Sequence, residues 1–199
     1  MSLLGKNIKT LENDLISDPV RISAYHDLPF AIFLYDPREE YICRKRIRLL
    51  GISLEQNHKK KVTFVSLGKL LWKIIHETEG IDALIAEEKQ YGFDRLQKTI
   101  NQLMSDEDFM PLPNLLEDRI KGLDPAKDIV FLVRIGALAP SIFRASLLLD
   151  KMHGRTMVPI ILFYPGSSDG HTDLKFMNMQ DRSQVGMYNY RVKIYGGST

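Results

Sequence analysis

Apolar positions recur along the chain at two spacings, and the switches between them mark out its elements. The opening stretch MSLLGKNIKTLENDLIS carries Leu4, Ile8, Leu11 and Leu15 at helix spacing. A turn-rich link, SDPVRISAYHDLP, leads to Phe30-Ala31-Ile32-Phe33-Leu34-Tyr35, which is apolar on both faces and stops at Asp36-Pro37. That reads as a strand buried on both sides. Residues 38–50 return to helix period, with Ile42, Cys43, Ile47 and Leu50 on one face, Arg44, Lys45 and Arg48 opposite, and Gly51 predicted to end the helix.

Val62 to Val65 predicts a second strand, followed by a helix with Leu67, Leu70, Leu71, Ile74, Ile75 and Thr78 in one stripe and Gly80 at its close. Ile81 to Met110 continue in helical pattern with breaks near Gly92 and Ser105, and Pro111 and Pro113 introduce a short helix ending near Gly122. Ile129 to Val133 is the third strand. A connection through Arg134-Ile135-Gly136 leads to a helix predicted from about Pro140 to Met152, with Gly154 just beyond. Val158 to Tyr164 is the fourth strand, and Leu174–Met177 and Tyr190–Tyr195 are weaker ones. Nearly all-apolar strands alternating with helices predict an α/β fold: a mainly parallel central sheet flanked by helices, in a single domain over residues 1–199. The stretch 81–122 forms a helical insertion between the second and third strands.

Composition narrows the class. Of 199 residues, 44% are hydrophobic and 26% charged, enough for a core and too little bias for disorder. No apolar run approaches the ~20 residues that span a bilayer. The N-terminal stretch lacks the basic start and continuous apolar segment of a signal peptide. The single cysteine, Cys43, has no internal disulfide partner, so the expected location is cytoplasmic, away from membranes. A net charge of +2 hides an uneven distribution. Residues 1–76 hold 13 Lys/Arg against 8 Asp/Glu, residues 77–128 hold 6 against 13, and residues 129–199 hold 8 against 4. An acidic helical middle on a more basic body suits docking to a protein better than wrapping nucleic acid.

Candidate chemistry concentrates in one stretch, VPIILFYPGSSDGHTDLKF. Gly166-Ser167-Ser168-Asp169-Gly170 fits G-x-S-x-G, the nucleophile elbow. An elbow needs a helix after the serine, whereas Leu174 and Phe176 alternate with Asp173 and Lys175 as in a strand. No histidine lies beyond His171 to serve as base. Pro165-Gly166 and Asp169-Gly170 read instead as turn dipeptides. Asp169, His171 and Asp173 alternate as metal ligands can, but so do residues of a polar loop, and the remaining histidines are scattered, so no metal is expected. A Walker loop and a dinucleotide fingerprint are both absent. Arg44, Lys45 and Arg48 with Lys59, Lys60 and Lys61 are candidates for phosphate contact, without the aromatics or modules that read sequence, so direct nucleic-acid binding is expected to be weak or absent. If the four strands are parallel, their carboxyl ends bring Asp36, Ser66, Arg134, Gly136 and the segment 165–170 to one edge, where α/β sheets meet ligands.

Three pieces carry a family resemblance: LPFAIFLYDP at 28–37, the strand, glycine turn and helix at 129–152, and VPIILFYPGSSDG at 158–170. In order and spacing they resemble the BrxB family of bacteriophage-exclusion (BREX) defence systems, over essentially the whole chain. The resemblance implies a cytoplasmic accessory or adaptor subunit with no assigned catalytic residue and no cofactor, in a system that methylates host DNA and blocks replication of unmethylated phage. It implies docking to PglZ, an alkaline-phosphatase-like protein, with links to the ATPase BrxC and the methyltransferase PglX. The family's fixed positions correspond to Tyr164, Pro165, Gly166, Asp169 and Gly170, and to Tyr35, Asp36 and Pro37 after the first strand; Ser167 and Ser168 inherit no role. The strand-end edge and these positions together make Asp36, Arg134, Gly136, Tyr164, Pro165, Gly166, Asp169 and Gly170 the expected partner or ligand contacts. The alternative is a small enzyme or nucleotide- or phosphate-binding module using the same edge.

Overall fold

The computed structural model describes residues 2–22, 29–168, 174–179, 185–187 and 192–196. Helix α1 (Leu3–Leu15) opens the chain, its N-terminus capped by Ser2, whose Oγ accepts the Gly5 N–H at 3.2 Å. The strands are β1 (Phe30–Tyr35), β2 (Lys61–Ser66), β3 (Asp128–Val133), β4 (Ile160–Ser168), β5 (Leu174–Phe176), β6 (Val185–Met187) and β7 (Lys193–Tyr195). Between them lie α2 (Glu40–His58), α3 (Leu67–Glu77), α4 (Ile81–Tyr91), α5 (Phe93–Ser105), α6 (Leu112–Ile120), α7 (Ala139–Ile142) and α8 (Ala145–Met152). The order across the main sheet is β2-β3-β4-β1-β7, with every neighbouring pair parallel. This is the α/β fold with a mainly parallel sheet flanked by helices, and α4 to α6 form the insertion between the second and third strands.

Side-chain alternation along the strands divides the interior into two layers. On one face, Ala31, Phe33, Phe131, Ile161 and Phe163 meet α1 and α2 through Leu11, Leu15, Ile47 and Leu54. On the other, Ile32, Leu34, Val130, Leu132 and Leu162 meet α3 and the later helices through Leu67, Ile74, Leu116 and Leu148. Because both faces are covered, every residue of β1 is buried, which is why it reads as an unbroken apolar run. Aromatic rings run across the first face, with Phe33 to Phe163 at 5.3 Å, Phe163 to Phe131 at 5.1 Å and Phe131 to Phe64 at 5.3 Å. Asp14 ties β7 to α1 by accepting the Tyr195 hydroxyl at 2.7 Å and pairing with Lys193.

Three sequence expectations change. Gly51 does not end a helix. It lies buried inside α2, where a Cβ would stand 3.1 Å from the Phe64 ring, and α2 runs on to His58 before Lys59 turns left-handed at φ 55°. The helix expected over 140–152 is interrupted. Phe143 is extended (φ −154°, ψ 124°) and buried, and the Asn101 side-chain amide donates to the Ile142 carbonyl, which a continuous helix would have used internally. Pro165-Gly166 is not a turn. Strand β4 continues to Ser168, outrunning its parallel neighbours and pairing antiparallel with β5 (Gly166 with Phe176, Ser168 with Leu174). Strand β6, paired with β5, had no counterpart in the sequence reading.

Candidate functional site

Parallel pairing places the carboxyl ends of β1 to β4 on one edge of the sheet. Ser66 is opposite Val133, and Tyr35 opposite Pro165. From this edge α2 leaves β1 onto one face and α3 leaves β2 onto the other. The divergence opens a cleft of about 900 Å³. Its walls come from α2 (Glu40, Cys43, Arg44, Ile47, Arg48), the end of β2 (Phe64, Ser66), α3 (Lys69, Trp72), α6 (Arg119) and the β3 end (Arg134, Gly136), with Pro165 and Met177 beside them. A crevice at diverging connections is where open parallel sheets receive ligands.

Local structure fixes several of these groups. Ser66 caps α3, its Oγ accepting the Lys69 N–H at 3.3 Å, so Lys69 sits in the first turn, at the cleft. Arg134 follows β3 with a left-handed backbone, φ 67°, a conformation that costs a non-glycine residue energy and is often retained at working sites. Its carbonyl accepts the Ala137 N–H at 3.1 Å, closing the turn that contains Gly136. On the opposite wall Glu40 binds both the Arg44 guanidinium and the Tyr35 hydroxyl. Burial, then the Glu40 carboxylate, push the Tyr35 hydroxyl well above the ordinary phenol range. Burial, followed by Glu40 and Glu39, pushes the Cys43 thiol up to about 12, so it is no nucleophile at neutral pH.

The residues expected at the edge divide. Arg134, Gly136 and Pro165 line the cleft, together with Arg44 and Arg48. Asp36 does not; it lies in an adjoining hollow with Gly166 and Ser167. There it caps the turn at Pro37–Glu39 and takes the Arg38 guanidinium at 2.6 Å, and these bonds hold its carboxyl down at about 2. Tyr164 points away from the edge into the core, its ring 5.6 Å from Phe176. Gly166 has a packing reason of its own, since a Cβ there would stand 2.1 Å from the Lys175 carbonyl oxygen. Asp169 and Gly170 lie outside the described residues, as do His171 and Asp173. Ser168, the elbow-like serine, sits within a paired strand rather than on a strand-to-helix turn.

The basic residues also separate. Arg44, Lys45 and Arg48 occupy the first half of α2, whereas Lys59, Lys60 and Lys61 follow its end. At 1.5 Å per helical residue, the two groups are roughly 20 Å apart along the axis. Lys60 is engaged, its Nζ donating to the Ala126 carbonyl at 2.8 Å. Sequence reasoning missed Lys69, Trp72 and Arg119. The first two carried a signal, as off-stripe positions in the helix directly after a strand end. Arg119 carried none, because it reaches the cleft from the insertion.

A family model described as BREX protein BrxB matches residues 63–194. A BREX protein BrxB from Bacillus cereus (strain H3081.97) is 26% identical over 160 residues, covering 78% of this chain and 80% of that protein. No solved structure matches the chain. The family match takes in the cleft residues of β2, α3, α6 and the β3 end along with most of the sheet, and the chain belongs to the BrxB family of BREX proteins.

Proposed function

We propose that the chain is a non-catalytic adaptor subunit of a BREX antiphage complex, acting in the cytoplasm, docking PglZ and joining it to further components such as BrxC and PglX. The observation that carries this reading is a pair of separate surfaces, one basic and one of mixed charge, each bearing exposed large apolar side chains. On α2, Tyr41, Leu49 and Ile52 are 81%, 56% and 48% exposed beside Lys45 and Arg48. On the other side of the sheet, the α4–α5 hairpin exposes Ile85, Tyr91 and Phe93 amid Asp82, Glu88, Lys89 and Asp94. Exposed aromatic and branched side chains grouped with charge are typical of docking faces, and a joining subunit needs two. No helix among the described residues is long and apolar enough to cross a membrane.

Pull-down of PglZ by the tagged chain tests the reading. Two double variants separate the surfaces: Leu49→Asp with Ile52→Asp, and Ile85→Asp with Phe93→Asp. One pair is expected to abolish PglZ capture with helix content unchanged, while the other keeps PglZ and loses a further BREX component. Interface hot spots of this kind cost about 2 kcal/mol or more each, roughly 30-fold in affinity. Clean separation of the wild-type chain from PglZ at micromolar concentration in low salt, or both double variants binding as wild type, sinks the proposal.

A further inference from the structure

The strand-end cleft carries a charge excess that docking on α2 and the α4–α5 hairpin draws on only at Arg48. Five cationic side chains line it, Arg44, Arg48, Lys69, Arg119 and Arg134, against one acid, Glu40, which already holds Arg44 and Tyr35. Arg48, Lys69, Arg119 and Arg134 have no ion-pair partner among the described residues. Like charges converging on one concavity repel each other and raise its potential, an arrangement suited to a multiply charged anion. The partial positive charge at the start of α3 adds to the same sign.

Apolar contact is available beside the cations. Trp72 is 53% exposed and Phe64 43% exposed, and both line the same cleft. Its volume, about 900 Å³, lies within the roughly 300–1,000 Å³ of small-ligand sites. A nucleic-acid strand would need a continuous basic track, and the second basic group, Lys59 to Lys61, stands at the far end of α2. We infer that this cleft binds a nucleoside polyphosphate, with Arg48, Lys69, Arg119 and Arg134 on the phosphates and the base against Trp72 and Phe64. An adaptor with such a site reports nucleotide to whatever it docks.

Trp72 is the chain's single tryptophan, so its fluorescence reads the cleft directly. Magnesium-free ATP, GTP, CTP and UTP are titrated separately into the purified chain in low salt, alongside inorganic tripolyphosphate, adenosine and a single-stranded oligonucleotide. At least one triphosphate is expected to bind saturably below about 1 mM, with tripolyphosphate several-fold weaker and adenosine undetected. Arg134→Gly and Lys69→Gln are each expected to weaken it by about 10-fold or more. Glycine suits the backbone at position 134, so a thermal midpoint at or above wild type shows that lost binding is not lost folding. Absence of saturable binding by any triphosphate at about 5 mM overturns the inference. So does binding indifferent to both substitutions, or an oligonucleotide that binds in proportion to its length while no triphosphate displaces it. Tripolyphosphate binding as tightly as every nucleotide overturns the assignment of a base and leaves a phosphate site. None of these outcomes depends on PglZ, so failure here and failure of the adaptor reading are distinguishable.

Discussion

Replacing Gly166 by alanine decides whether this glycine serves the packing of β5 or a ligand. The added Cβ would stand 2.1 Å from the Lys175 carbonyl oxygen. The closest carbon–oxygen contacts in proteins lie near about 3.3 Å, so β5 must retreat by roughly 1 Å. The obstacle is backbone, with no rotamer to swing aside. Two routes are open. Forced accommodation costs about 1–3 kcal/mol, as other overpacked positions do. Detachment of β5 exposes Leu174 and Phe176, 1% and 5% exposed in the fold, at about 1.5–3 kcal/mol each as an upper bound. The cheaper route sets the value, so Gly166→Ala is expected to cost about 1–3 kcal/mol, a sizeable part of the roughly 5–15 kcal/mol that holds a typical domain together. For a chain of this size the thermal midpoint falls by roughly 2–12 °C. Urea unfolding followed by far-ultraviolet circular dichroism measures it. Gly154→Ala is the control: φ is 74° there and nothing lies within 4 Å of the added Cβ, so only the backbone penalty of about 1–2 kcal/mol remains. A Gly166→Ala protein as stable as wild type would refute the packing account.

Arg134→Gly relieves a left-handed φ of 67°, about 1–2 kcal/mol, against about 0.5–1 kcal/mol of added chain freedom, so stability in the same urea assay is expected to stay level or rise by up to about 1 kcal/mol; a clear loss would mean that the arginine side chain holds its turn. Cys43, 2% exposed with its thiol pushed up to about 12, should resist a disulfide reagent at pH 8 in the folded chain and react at once in concentrated urea. Rapid labelling without denaturant contradicts the burial. Asp36 is held at about 2, first by the Arg38 side chain and then by the Arg38 N–H. A carboxyl depressed on folding contributes stability above its unfolded value and loses it as pH falls through the folded one, so this small contribution fades from about pH 4 towards 2. Arg38→Gln should move the Asp36 titration, followed by carboxyl carbon NMR, up towards the ordinary 3.8.

Burial on both sides made the main sheet legible. FAIFLY and IVFLV have no polar face to show because helices cover each side; the first run coincides with β1 and the second with β3 apart from its opening Asp128. Gly51 misled because a glycine packed beneath an aromatic ring looks, in sequence, like one that ends a helix. Pro165-Gly166 misled for a similar reason. The missing N–H and the missing Cβ read as turn chemistry, whereas the strand has outrun its neighbours there and needs a bare backbone for β5 to approach. Within the cleft, Arg134 was visible as a polar residue after an apolar strand, and Lys69 was within reach of the same logic. Arg119 and the exclusion of Asp36 were not, since they depend on where the insertion packs and on a local bond to Arg38.

The position of β1 shapes how the chain comes into being. It is made first among the strands yet lies inside the sheet, one strand from its edge, and its partners β4 and β7 begin at Ile160 and Lys193. At about 5–20 residues per second on the ribosome, β1 waits roughly 6–25 s for β4 to be made. During that interval six consecutive apolar residues, FAIFLY, have no sheet to join. Such a segment is open to pairing with its copy on a neighbouring nascent chain, and holding it apart is work for a chaperone. Yield in a cell should therefore respond to chaperone supply and translation speed more steeply than the stability of the finished fold suggests.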